Sequence, residues 1–197
     1  MRDEAPSIRR WRVGGRPILT VDGAFDRAFI EDTFAGAIGS DSLTYGRINK
    51  SGVHQAPMLV DLAAGSHAAS RNLEVIGQTV ASVLAQLEFG TFEKRQQQIN
   101  FNSFGEAQYI HKDEGFAMTA VYFANPLWHP DWLGETLFYE DDSPEVRSAV
   151  TPVPGRLLIF DSLIAHRGGV PSRLCWYPRV TVASKYRVAR EPVISSQ

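Results

Sequence analysis

The sequence predicts a mainly β domain with flanking α-helices, and three observations support this prediction. Residues 179–186 alternate β-branched or small residues with polar ones, as a strand with one buried face does. Residues 157–160 form a short apolar run after a Pro-Gly pair, which is typical of a buried strand entered from a turn. Helical spacing of apolar residues occurs in the N-terminal half, and 197 residues with 44% hydrophobic content suit one globular domain.

We expect the N-terminal half to support the β region. Residues 17–21 predict a short strand, and Asp22 is a suitable N-cap for a helix over residues 23–37. A second helix is predicted over residues 69–88, because its apolar residues recur along one stripe. The stripe consists of Leu73, Ile76, Val80, Val83, Leu84 and Leu87. The Arg-rich start and the Ser-Ser-Gln end are expected to be frayed.

The connection at residues 40–66 is rich in loop-forming residues and mixed in charge. Tyr45 and Arg47 alternate within it, so they are candidate substrate contacts on an extended segment that could act as a lid. An ordinary surface loop is the alternative for this connection.

Composition argues against several classes of partner. A net charge of -2 and a pI near 6.2 give no electrostatic footprint for nucleic acid or an anionic membrane. No apolar run approaches the roughly eighteen residues of a membrane span, and the charged start does not resemble a signal peptide. The single cysteine, Cys175, excludes an intramolecular disulfide and fits a reducing cytoplasm. We therefore expect a cytoplasmic protein, monomeric or homodimeric, that acts on a small molecule.

Two histidines and one aspartate form a candidate metal site. His111 and Asp113 are two positions apart, so in an extended segment their side chains project to the same face. His166 follows about fifty residues later, at the end of an apolar run, and could supply a third ligand. Two imidazoles and one carboxylate are the facial ligand set of non-haem Fe(II) enzymes. The alternatives are a surface pair on a charged turn and a core histidine.

A candidate carboxylate receptor lies further along the chain. Arg179 opens the last alternating run, and an arginine on the inner face of a strand needs a partner. A carboxylate is its best match, because the guanidinium can donate to both oxygens. Thr181 lies two positions on and could donate one more hydrogen bond. The alternative is that Arg179 pairs with one of the 22 acidic residues of the chain itself.

Taken together, these motifs resemble the Fe(II)/2-oxoglutarate-dependent oxygenases, in particular the prolyl-4-hydroxylase-like branch. The shared order is H-x-D, about fifty residues, H, about a dozen residues, and R-x-S/T. Three further elements occur in the order of that family: Leu-Gly-Glu-Thr-Leu-Phe at 133–138, the Pro-Gly turn and apolar strand at 152–160, and His-Arg-Gly-Gly-Val-Pro at 166–171. The resemblance covers residues 98–188, about half of the chain.

The resemblance implies a double-stranded β-helix, a jelly-roll or cupin-like barrel, over one domain of residues 1–197. Residues 1–95 would be the N-terminal support and lid, and residues 96–190 the barrel core. His111, Asp113 and His166 would bind Fe(II), while Arg179 and Thr181 would hold 2-oxoglutarate. O2 would be the oxidant, and ascorbate is a candidate reductant.

One departure from the family concerns the co-substrate. Many prolyl-hydroxylase-like members carry a Tyr on an earlier strand that contacts the co-substrate carboxylate, and residues 96–102 offer none. Gln98, Asn100 or Asn102 could replace it, and Tyr109 is a further candidate. The choice depends on strand register.

A loop with two Trp residues precedes the Gly-Glu-Thr element. Within it Trp128 and His129 are candidate substrate contacts, and packing over the barrel mouth is the alternative.

The implied activity is oxidation, most simply hydroxylation, of an unactivated C–H bond of an amino acid or natural-product intermediate, with decarboxylation of 2-oxoglutarate to succinate. Asp113 argues against halogenation, because halogenating relatives have a small residue at that position. The alternatives are a hydroxylase of a peptidyl or carrier-tethered residue, a non-catalytic cupin-like binding or sensor protein, and an oxygenase on the same barrel that does not use 2-oxoglutarate.

Overall fold

The computed structural model describes residues 5–39, 43–48, 54–61, 67–106, 108–141 and 143–189, with the backbone alone for 43–48, 54–61 and 67–70. Within these ranges the helices are α1 (Arg27–Ile38) and α2 (His67–Gln86). The first strands are β1 (Ser7–Val13), β2 (Arg16–Asp22), β3 (Leu43–Ile48), β4 (His54–Asp61), β5 (Phe92–Asn102) and β6 (Met118–Phe123). The others are β7 (Thr136–Tyr139), β8 (Val146–Val150), β9 (Leu157–Asp161), β10 (Ala165–Gly168) and β11 (Arg179–Val188).

The described strands form two sheets in which neighbouring strands pair antiparallel. The larger sheet has the order β1-β2-β9-β6-β11-β5-β4-β3, and the smaller sheet has the order β10-β7-β8. An isolated bridge between His111 and His166 adds one more chain segment beside β10. The expected mainly β fold with flanking helices is confirmed.

Alternation of residue types decides which side of the larger sheet each side chain faces. Val180 and Val182 of β11 and Ile99 and Phe101 of β5 belong to the core that the larger sheet shares with α1 and α2. Their neighbours in sequence therefore face the other way, toward the smaller sheet. On that side a second core fills the space between the sheets. It contains Val13, Ile18, Phe123, Phe138, Val150, Leu158, Phe160 and Ile164.

The predicted start of the first helix is wrong by four residues. α1 begins at Arg27, and its N-cap is Asp26, whose Oδ1 accepts a hydrogen bond from the Phe29 N–H at 2.8 Å. Asp22 instead ends β2 and forms a two-point ion pair with Arg156, at 2.7 and 2.8 Å. The second helix is confirmed, although it runs two residues earlier than predicted. No helix in the described ranges is long and apolar enough to span a membrane.

Strands occur in two segments, one of which was expected to be frayed and the other to be loop-rich with an extended part. The Arg-rich start contains β1, which pairs with β2 along its whole length and forms one edge of the larger sheet. In the connection at 40–66, β3 and β4 pair with each other, and β4 pairs with β5. Charged side chains are common on edge strands because they discourage pairing with other molecules. This explains why β1 lacks an apolar signal.

Candidate metal and carboxylate site

Backbone hydrogen bonds bring the three predicted metal ligands together. The His111 N–H donates to the His166 carbonyl at 3.0 Å, and the His166 N–H donates to the His111 carbonyl at 2.9 Å. The Asp113 N–H donates to the Ser162 carbonyl at 2.8 Å. As a result one ligand atom from each of His111, Asp113 and His166 lies within 4.8 Å of the others. The predicted triad is therefore brought together in space.

Both imidazoles are held in the orientation that a metal ligand needs. His111 Nδ1 lies 2.9 Å from the Tyr109 carbonyl oxygen, and His166 Nδ1 lies 2.8 Å from the Ile164 carbonyl oxygen. Because a carbonyl only accepts, each Nδ1 carries a proton, which leaves Nε2 as the ring nitrogen that can ligate a metal ion. The two Nε2 atoms lie 3.8 Å and 3.7 Å from the oxygens of Asp113. Two imidazoles with Nδ1 hydrogen-bonded and Nε2 turned toward one carboxylate form an arrangement that fits an Fe(II) ion.

Asp113 is buried and has two donors of its own. Thr119 Oγ1 donates to Oδ2 at 2.7 Å, and Lys185 Nζ donates to Oδ1 at 2.5 Å. Burial would raise the pKa of Asp113, but electrostatic interactions with His166 and Lys185 and these hydrogen bonds lower it below its usual value. The carboxyl group is therefore an anion, the form that ligates metal.

The two histidines differ in exposure. Burial, together with the charge of His111, lowers the pKa of His166 to about 4. His166 is thus neutral near pH 7. The side chain of His111 is 41% exposed, so the metal site opens to solvent on that side.

Arg179 is a buried cation with no ion-pair partner in the described part of the chain. It is 3% exposed, and its Nε donates to the Gly134 carbonyl at 2.7 Å while Nη2 donates to Thr136 Oγ1 at 3.0 Å. Burial lowers the pKa of Arg179 to about 10, although the charge of Glu135 raises it in part. A buried guanidinium whose hydrogen bonds go to neutral groups, with no carboxylate in contact, fits an anionic ligand.

The register of β5 and β11 settles the strand positions that the sequence left open. Thr181 lies opposite Asn100, and Ala183 lies opposite Gln98, all on the face toward the smaller sheet. Gln96 Nε2 donates to Gln98 Oε1 at 2.8 Å, and Gln98 Nε2 donates to Asn100 Oδ1 at 2.9 Å. We call Gln96, Gln98 and Asn100 the amide row. Contact between these residues and a co-substrate stays a prediction.

The other predicted contact residues lie outside the metal triad. Tyr109 is 47% exposed and contributes its carbonyl oxygen to His111 rather than its ring. Trp128 is half-buried against Gly134, where a Cβ would lie 2.9 Å from the indole ring. His129 is exposed and accepts a hydrogen bond from the Asp131 N–H at 3.2 Å. The side chains of Tyr45 and Arg47 lie outside the described residues.

Two residues of the site were missed in the sequence. Thr119 and Lys185 hold Asp113, although neither was singled out. A signal for Lys185 was available, because it continues the i, i+2 series that starts at Arg179 and Thr181.

Solved structures resemble this chain over most of its length. No protein-family model and no curated protein matches the sequence. A prolyl hydroxylase from Trichoplax adhaerens, in complex with a peptide fragment of the hypoxia inducible factor oxygen degradation domain, has 17% identity and a TM-score of 0.65, over 87% of this chain and 82% of that one. A prolyl-4-hydroxylase from Pseudomonas putida has 18% identity and a TM-score of 0.62, over 84% and 89%.

A third similar structure comes from a different branch of chemistry. It is the non-haem α-ketoglutarate-dependent epimerase SnoN from nogalamycin biosynthesis, with 14% identity and a TM-score of 0.66, over 90% of this chain and 82% of that one. Identities this low establish the fold and nothing finer. The chain has the double-stranded β-helix fold of the prolyl hydroxylases and other 2-oxoglutarate-dependent oxygenases.

Proposed function

We propose that this protein is an Fe(II)- and 2-oxoglutarate-dependent dioxygenase that hydroxylates an unactivated C–H bond of a small molecule and converts 2-oxoglutarate to succinate. The observation that carries the proposal is Arg179, a buried cation that forms no ion pair in the described ranges and shares a face of the larger sheet with Lys185, which contacts the triad. A protein that only bound a metal ion would not need the buried guanidinium of Arg179. A dicarboxylate with one end at the metal ion and the other at Arg179 would neutralise that guanidinium.

Each part of the site has a defined role in this proposal. His111, Asp113 and His166 hold the ion on one side and leave its other positions free. When bound, iron and 2-oxoglutarate would supply the chemistry that activates O2, the oxidant, so that one oxygen atom enters the C–H bond and the other enters succinate as CO2 is released. Arg179 holds the far carboxylate of the co-substrate, and the Gly134 carbonyl and Thr136 fix the guanidinium in place. Residues 96–190 of the proposed single domain would carry both the metal ligands and this receptor.

Apolar side chains keep water away from the inner part of the site. Phe160 and Phe138 lie beside His166, with ring centroids 4.6 and 6.2 Å from the imidazole. Phe123 lies under Arg179, with the guanidinium carbon 5.2 Å from its ring centroid. In such a site of low polarity, the attraction between Arg179 and a carboxylate is stronger than in water.

The substrate proposal has one alternative. Similarity to an epimerase of nogalamycin biosynthesis supports a small molecule, while similarity to a prolyl hydroxylase solved with a peptide favours a peptidyl substrate. A carrier-tethered substrate is a variant of the second case. Net charge of -2 offers no electrostatic reason to prefer a polyanionic partner.

Anaerobic spectroscopy tests the proposed function. Addition of Fe(II) and then 2-oxoglutarate should give a weak visible charge-transfer band, and O2 should then produce succinate. Arg179→Ala should lose the band and succinate formation while still binding metal, whereas Asp113→Ala should lose the metal. Arg167→Ala is the matched control, since Arg167 lies on β10 next to His166 and contacts Tyr139. Metal binding by the wild type without any binding of 2-oxoglutarate would replace this proposal by the cupin-like binding protein.

A further inference from the structure

Asn102 has a buried side-chain donor that is not used. The residue is 1% exposed, and its Nδ2 has no hydrogen-bond partner among the described residues. Buried amide donors in folded proteins are nearly always paired with protein, water or a ligand. A hydrogen-bond acceptor is therefore expected next to this unpaired N–H donor.

The orientation of the Asn102 amide is set by two fixed neighbours. The Gly168 N–H can only donate, and it donates to Gln108 Oε1 at 2.9 Å. The other end of the Gln108 amide must then donate, and Nε2 does so to Asn102 Oδ1 at 3.3 Å. Because the oxygen of Asn102 is used as the acceptor, its Nδ2 is left as a donor.

Asn102 and Arg179 occupy directly opposed positions. They are partners in the antiparallel register of β5 and β11, so their side chains project to the same face of the sheet. Arg179 is a buried cation without an ion pair, as described above. A charged donor and a neutral donor therefore lie side by side, and neither has an anionic partner in the part of the chain that the structure describes.

We propose that Asn102 donates a hydrogen bond to the same carboxylate that Arg179 binds. This inference rests on the proposed function, in which that group is the distal carboxylate of 2-oxoglutarate. Asn102 would take the role of the Tyr that contacts the co-substrate carboxylate in many prolyl-hydroxylase-like proteins. Gln108 and Gly168 are positioning residues, since they act by turning the Asn102 amide. An ordered water on Nδ2 is the competing occupant, and the test separates the two.

The test compares two 2-oxo acids on the Mn(II)-loaded protein by calorimetry. 2-Oxoglutarate carries the distal carboxylate, and pyruvate lacks it. Asn102→Ala should raise the Kd of 2-oxoglutarate by about 10- to 100-fold, as expected for one hydrogen bond to a charged group. The Kd of pyruvate and the Kd of Mn(II) should stay within about threefold, which is below a kcal/mol of binding energy. Gln97→Ala is the control, since Gln97 also carries a side-chain amide on β5 but donates to the carbonyl of Leu73 in α2.

Two more variants keep the test decisive if Asn102→Ala folds poorly. Asn102→Asp keeps the shape but places a negative charge beside Arg179, so it should bind 2-oxoglutarate more weakly still. Gln108→Ala should give a loss of several-fold for 2-oxoglutarate alone. Equal affinities of wild type and Asn102→Ala for 2-oxoglutarate would overturn the inference in favour of a bound water, and equal losses for both acids would overturn it in favour of a general structural role of Asn102. Failure of the wild type to bind 2-oxoglutarate would instead overturn the proposed function.

Discussion

At the scale of single residues, Lys185 is a member of the site that the sequence analysis did not single out. Its ammonium group lies 2.5 Å from Asp113 Oδ1, and its side chain is 17% exposed. The group also lies 5.6 Å from the centre of the Phe116 ring. The ammonium group neutralises part of the negative charge on Asp113 that would otherwise attract a metal ion. Lys185 and the metal therefore compete for Asp113.

Removal of this competitor should strengthen metal binding. We expect Lys185→Met to lower the Kd of Mn(II) by about tenfold, because the repulsion between two nearby cations is removed in a site of low polarity. Competition with a fluorescent chelator measures this Kd. Asp113→Asn, which leaves the ammonium in place, should bind metal far more weakly. Weaker binding by Lys185→Met would show that the ammonium orients the carboxylate and does not compete for it.

The metal ligands could be predicted from the sequence, whereas their supports could not. His111, Asp113 and His166 belong to a short motif whose chemistry is apparent from residue type and spacing. Thr119 is a common residue type whose role depends on which strands become neighbours, and Asn102 was one of several candidates for the co-substrate contact. Register decides that, and it is determined by contacts between segments that are distant in the sequence.

At the scale of elements, the end of β10 is held very close to the start of β7. The Gly169 N–H donates to the Glu135 carbonyl at 2.7 Å, and a Cβ on Gly169 would lie 2.5 Å from that oxygen. The adjacent carbonyl, that of Gly134, accepts the hydrogen bond from Arg179. The closeness of these two segments thus helps to fix the carboxylate receptor.

A methyl group at this junction should loosen the receptor. Gly169→Ala forces the segments apart, so we expect a loss of about 1–3 kcal/mol in the free energy of unfolding. The Kd of 2-oxoglutarate should rise, while that of the metal should change little. Urea unfolding and calorimetry measure the two effects.

Gly77→Ala in α2 is the control for this substitution. There the new Cβ meets only the flexible end of Lys94, and a helical alanine should stabilise the protein by about 0.5–1 kcal/mol. A Gly169→Ala protein as stable as wild type would contradict this account of the junction.

The elements that could be predicted are those with a strong apolar period. Both helices and the strands around the second histidine and Arg179 have one. β1 lacks it because an edge strand with charged side chains buries little apolar surface. The first helix was placed too early because Asp22 and Asp26 are equally good caps by residue type. Asp22 is used instead by Arg156, which is far away in sequence.

At the scale of the whole molecule, the site lies between the two sheets and links them. His166 belongs to the smaller sheet, and Lys185 and Thr119 belong to the larger one. Arg179 of β11 also reaches across the space between the sheets, where its guanidinium donates to Thr136 on β7. Separation of the sheets would break both groups of contacts. Protonation of the buried histidine therefore affects the unfolding of the whole domain.

Metal-free protein should lose stability in mild acid. The pKa of His166 is about 4 in the folded state and near 6.5 in the unfolded state, so the unfolded chain binds the extra proton between these values. Stability should be full above about pH 6.5 and fall by roughly 2–3 kcal/mol as the pH approaches 4. Urea unfolding at several pH values measures this. His166→Gln should flatten the dependence, and His129→Gln, at an exposed position, should leave it unchanged. A wild-type profile that is flat from pH 7 to 4.5 would contradict it.

The amide row also has a polarity. Gln96 donates to Gln98, and Gln98 donates to Asn100. The Gln96 end of the row therefore presents an acceptor oxygen, and the Asn100 end presents N–H donors. One amide cannot turn without opposing its neighbour, which leaves two orderings of the row that differ by a concerted flip of all three side chains. An anion beside Asn100 favours the ordering described here, and a hydrogen-bond donor there favours the reverse. A group bound beside Asn100 can thus determine whether the Gln96 end of the row, about 13 Å away along the strand, presents a donor or an acceptor, without any movement of the backbone.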